Sequence, residues 1–75
     1  MNCAEYERLQ LRVEILLEEL TELTAKQLEM FRAENYPACR RLDREVEAAI
    51  GEKERTIGAL RQHMREHRCR SAEPI

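Results

Sequence analysis

From Asn2 to Glu34 the chain contains neither Gly nor Pro, and apolar residues return at Tyr6, Leu9, Val13, Leu16, Leu20, Leu23 and Met30. Alternating steps of three and four mark one face of an α-helix, so the spacing predicts a helix over about 3–34, interrupted in its seam only by Gln27. A second row, Leu17, Leu28 and Phe31, widens the stripe past what a two-stranded coiled coil covers. Such a helix needs neighbours on two sides. Asn2 followed by Glu5 reads as a capping box, in which the Asn oxygen takes a free backbone N–H and the Glu reaches back.

The one clear break is Glu34-Asn35-Tyr36-Pro37. Asn tolerates the left-handed conformation that ends helices, and Pro disfavours an α conformation in the residue before it while fitting the start of a new helix. A turn at 35–36 and a second helix over about 37–68 follow. That helix carries Cys39, Leu42, Val46, Ala49, Ile50, Ile57, Leu60 and Met64 on one side, with Lys53 interrupting. Gly51 and Gly58 each cost about 1 kcal/mol relative to Ala in a helix interior. Either the helix runs through them, or it ends at Ile50 with Gly51 as its cap and a third helix starts near Glu52. The seven-residue spacing of Ile50, Ile57 and Met64 favours continuity.

Two helices of about 32 residues, each about 48 Å long, joined by so short a turn lie antiparallel. Residue i then sits near 71−i or 72−i, which places Leu20 in the region of Ala49 and Ile50, Val13 in that of Ile57, Leu9 in that of Met64 and Cys3 near Cys69. The expected fold is all-α: a coiled-coil-like antiparallel helical hairpin forming a single domain over 1–70, with 71–75 a frayed tail.

Composition sharpens this picture. With 75 residues, 4% of them aromatic, the chain is too small to enclose a substrate, and no enzyme is expected. A chain of this length buries only around 60% of its unfolded surface, so a homodimer forming a four-helix bundle, parallel or antiparallel, is the expected assembly. Residues 1–35 hold eight acids and four bases, a net −4; residues 36–75 hold seven acids and nine bases, a net +2. Opposite charge suits two arms that pack on each other. The longest apolar runs, Ile15-Leu16-Leu17 and Ala48-Ala49-Ile50, are three residues each, too short for a membrane span or a secretory signal. A cytoplasmic location is the default expectation.

Several side chains invite a chemical reading. Cys3, His63, His67 and Cys69 are candidate metal ligands: the two His are four apart on one helix face, and the expected register adds the two Cys, a set suited to tetrahedral zinc. The same proximity allows a Cys3–Cys69 disulfide, worth roughly 4 kcal/mol on a chain-entropy account, although a reducing compartment disfavours it. The plainest alternative is thiols with no bonded partner. Cys39, at the turn, reads as a small buried apolar residue. A Cys–His nucleophile from Cys3 or Cys69 with His67 lacks an oxyanion hole and a pocket. Arg61, Arg65, Arg68 and Arg70 complement a helix C-terminus; without interleaved aromatics they do not point to nucleic acid. Glu22–Lys26, Arg41–Glu45 and Glu66–Arg70 are spaced to support a helix by a few tenths of a kcal/mol each. Gln27, Lys53 and Thr24 interrupt the seams and read as residues that set register and oligomeric state.

With Cys3 near the start and His67-x-Cys69 near the end of two helices, the chain resembles a loose set of short bacterial proteins of unknown function. They share an N-terminal Met-x-Cys, a two-helix body and a His-plus-Cys ending. Two departures stand out: Arg68 occupies the place where that set would carry Gly, and six residues follow Cys69. The resemblance implies a bacterial source and brings no activity with it. In size and hairpin form the chain is also similar to the small helical chaperones of type III secretion. The functional expectation is a protein-protein interaction or chaperone-like module, with a metal- or redox-responsive protein using the terminal Cys/His cluster as the alternative.

Overall fold

The computed structural model describes residues 3–67. They form two helices, α1 (Ala4–Arg32) and α2 (Tyr36–His67), packed antiparallel, with no strand among the described residues.

α1 begins at Cys3, whose extended backbone (φ −119°, ψ 114°) makes it the N-cap, without a side-chain cap bond. The expected capping box is not what starts it. Glu5 accepts from Arg8 at 2.7 and 3.2 Å instead of reaching back, and Asn2 lies outside the described residues. At the other end Asn35 N–H donates to Met30 O (2.8 Å) and Glu34 N–H to Phe31 O (2.9 Å). This is a Schellman closure, which needs a left-handed residue just beyond the helix. Glu34 supplies it, with φ 59°.

Asn35 does the opposite of what the sequence suggests. Its side-chain Oδ1 accepts from Ala38 N–H (3.3 Å), and its carbonyl takes the first helical bond from Cys39 N–H (3.1 Å), so it is the N-cap of α2. The connection is therefore Ala33–Asn35, not 35–36, and α2 starts at Tyr36 with Pro37 in its first turn, where no N–H is needed. Because a left-handed L-residue is strained by roughly 1–2 kcal/mol, Glu34→Gly is expected to stabilise the hairpin by about 1 kcal/mol and raise the melting temperature by roughly 4–8 °C. A lower melting temperature would show that the Glu34 side chain contributes more than its backbone costs.

The displaced turn resets the pairing of the helices. Cys3 Sγ lies 3.1 Å from His63 Nε2 at one end, and Gln27 Nε2 donates to Cys39 O (3.2 Å) at the other. Facing residues are thus i and 66−i, not 71−i. Leu20 is level with Val46 and Val13 with Lys53, while Leu9 is level with Ile57 rather than Met64. Carried along α2, this register makes the inner row Leu42, Val46, Ala49, Lys53, Thr56, Leu60 and His63, each buried or half-buried. Lys53, expected to interrupt the seam, sits in it, and a Lys there lays its stem along apolar neighbours while its ammonium reaches water. Among the described residues Leu16 is the only fully buried large side chain, 1% exposed, flanked in the seam by buried Tyr6, Leu9, Leu42 and Ala49.

α2 runs unbroken through both glycines. Gly51 and Gly58 lie on its outer ridge; a Cβ on Gly58 would meet nothing within 4 Å, and one on Gly51 would only touch the end of Arg55 at 3.4 Å. Among the described residues the ion pairs are Glu5–Arg8 and Arg12–Glu52, each 2.7 Å, so the spacings Glu22–Lys26 and Arg41–Glu45 are not used. Arg70, the partner proposed for Glu66, is outside the described residues; Glu66 accepts from Gln62 (3.0 Å). No described helix is long and apolar enough to cross a membrane.

Candidate functional site

Two regions carry features beyond simple packing: the open end of the hairpin and one of its broad sides. At the open end the N-cap of α1 sets Cys3 against His63, and both side chains are half-buried. Glu5 stands nearby. Its carboxyl is held below the usual range by the hydrogen bond from Arg8, opposed by desolvation and aided by the charges of Arg8 and His63. Of the four expected metal ligands, the structure brings together two, Cys3 and His63. The side chain of His67 and the whole of Cys69 lie outside the described residues, and no group of three or more His, Cys, Asp or Glu among the described ones is arranged to hold a metal. Cys39 stands at the opposite end, its thiol directed at the Gln27 carbonyl (3.7 Å).

The second region comes from two rows beside the seam. On α1 the row runs Glu7, Gln10, Glu14, Leu17, Thr21, Thr24, Leu28 and Phe31; on α2 it runs Tyr36, Arg40, Asp43, Glu47, Ile50, Glu54, Ile57, Arg61 and Met64, so that large apolar side chains alternate with polar and charged ones. In an antiparallel pair, the residues that follow the seam positions on each helix fall on the same side of the pair. Contacts across the helices agree. The Phe31 ring meets Tyr36 edge-on, centroids 6.0 Å apart at 71°; Gln27 donates to Asp43 (3.2 Å); and Thr24, Gln27, Leu28, Phe31 and Cys39 line one shallow depression. Among the described residues, five of the seven exposed large apolar side chains lie here: Leu17, Leu28, Phe31, Tyr36 and Ile50, with Phe31 59% exposed and Leu28 47%.

The chain matches no family model, no curated protein and no solved structure.

The opposite broad side is different in kind. It carries the Arg12–Glu52 pair, in which each group favours the charged form of the other through their hydrogen bond, and an open groove lined by Glu19, Leu23, Glu45, Ala48, Ala49 and Glu52. Its exposed apolar residues are Leu11 and Ile15. The sequence located the α1 half of the apolar side in Leu17, Leu28 and Phe31. It missed the α2 half, because Ile50, Ile57 and Met64 were assigned to the inner seam that Lys53 and Thr56 occupy. Two rows with the same seven-residue repeat look alike until the register is known.

Proposed function

We propose that this chain is a non-enzymatic helical interaction module, which pairs with a second copy through its apolar broad side to form a four-helix bundle and offers the remaining charged surface to another protein. The observation that supports this reading is the second apolar surface: Leu17, Leu28, Phe31, Tyr36 and Ile50 stand exposed on one side of a hairpin that buries few side chains of its own. Monomeric proteins seldom expose a contiguous apolar patch of this kind without using it. A chaperone-like role, a bacterial source, kinship with short two-helix proteins and a cytoplasmic setting belong to the same proposal. Sedimentation equilibrium at micromolar concentration is the test: a species of about twice 8.9 kDa is expected, and a clean 8.9 kDa monomer with a cooperative melt would overturn it.

A second reading is favoured by the 3.1 Å contact of Cys3 with His63. We propose that this pair anchors a thiol- or metal-responsive site at the open end, completed by His67 and Cys69, which would supply the further nitrogen and sulfur that tetrahedral zinc requires. Elemental analysis of protein purified without a His tag, with thiol counting before and after reduction, checks it. Stoichiometric zinc or a reversible loss of two thiols is expected; three thiols that resist mild oxidation in metal-free protein would remove it.

A further inference from the structure

We propose that the second copy seats on the apolar side with the two-fold axis along the rod, so that both loops lie at the same end and each α1 covers the partner's α2. This rests on the pairing under Proposed function and adds to it an occupant's orientation and the contacts that select it.

The area fits a second copy. One broad side of the rod, 51 × 19 Å in outline, offers the roughly 800 Å² that each partner of a standard interface covers.

The orientation follows from heights along the rod. With residues i and 66−i level, Ile50 stands at the height of Leu16, next to Leu17, and Tyr36 at the height of Met30, between Leu28 and Phe31. A two-fold axis along the rod preserves height and exchanges α1 with α2. Leu17 then meets Ile50 of the second copy, Leu28 and Phe31 meet its Tyr36, and Glu7 near the open end meets its Arg61. The large apolar side chains meet, Glu7 meets a base, and Asp43 and Glu47 come level with Thr24 and Thr21. Glu14 and Glu54 also come level, at the rim, where water and salt screen them.

The other face-to-face solution places the two-fold axis across the rod, lays α1 on α1 and reverses height. Leu28 and Phe31 would then fall at the open end, against Glu7 and the level of Cys3; Leu17 would meet Leu17 of the second copy, but Ile50 would come level with Glu47, and Glu54 with Asp43. Burying carboxylates against Leu28 and Phe31 carries a desolvation cost with no partner charge to offset it. Both copies are identical, so each mismatch occurs twice.

The experiment measures the distance between loop tips. A nitroxide is placed at Ala33→Cys, an exposed loop position, in full-length protein whose Cys3, Cys39 and Cys69 are changed to Ser, with Arg32→Cys as a second labelling site. Circular dichroism and sedimentation of each labelled protein establish that it is helical and paired. Pulsed dipolar spectroscopy is expected to give roughly 10–30 Å, the span of a bundle whose helices are spaced at 8–10 Å. A paired protein with tips separated by close to the 51 Å rod length overturns the orientation while leaving the pairing intact. A helical but unpaired protein, with no dipolar coupling, overturns both.

Discussion

Leu16→Ala is expected to remove most of the stability of the hairpin. Among the described residues Leu16 is the one large side chain sealed from solvent, 1% exposed, in the middle of the seam. Truncating a buried Leu to Ala costs about 2–5 kcal/mol, the loss of transfer energy plus the cavity left behind. A domain of this size holds roughly 4–11 kcal/mol in all, and each kcal/mol corresponds to about 4–8 °C. Thermal melting followed by circular dichroism should show a fall of at least about 10 °C. Leu11→Ala is the control, since Leu11 is 55% exposed on the opposite broad side and surface substitutions usually stay within about 0.5 kcal/mol. Equal losses at the two positions would mean that the seam is not where the structure places it.

The second large effect concerns assembly. Leu28→Glu with Phe31→Glu is expected to convert the dimer to a helical monomer, with the dissociation constant rising by more than about a hundredfold. Burying a large apolar side chain contributes about 1.5–3 kcal/mol, the two substitutions occur in both copies, and every 1.4 kcal/mol is a factor of ten. Sedimentation equilibrium over a concentration series checks this. In the parent protein the melting temperature should also rise with concentration, because mass action couples folding to pairing. A double variant that sediments as the parent does would show that a different surface holds the copies together.

The difference between these two experiments, one on the seam and one beside it, was only half legible in the sequence. The α1 repeat from Tyr6 to Met30 and its second row could be read directly, because that helix keeps its apolar rows separate from its charges. The break near Asn35 was also plain. Its residue-level geometry was not: Glu34 is a poor choice for a left-handed site, so Asn35 looked like the residue that ends α1, whereas it caps α2. The earlier turn and the cross-helix contacts move the register from 71−i to 66−i. On α2 the error compounds, because polar Lys53 and Thr56 face α1 while Ile50, Ile57 and Met64 flank the seam. Tertiary placement overrides composition there. In the Cys/His set Cys3 meets His63, and Cys69 lies outside the described residues.

The junction of the helices has a further consequence, for the order in which the chain folds. Three residues join α1 to α2, closed on one side by the Schellman bonds of Glu34 and Asn35 and on the other by the Asn35 cap. Bringing the two helix ends together there requires little loop-closure entropy, and each later contact of the hairpin spans a longer stretch of chain than the one before. The expected course is a zipper that starts with Gln27 on Cys39 and passes Leu16 midway, leaving Tyr6 and the Cys3–His63 contact until last. By the same gradient they are the first to open when the native rod fluctuates.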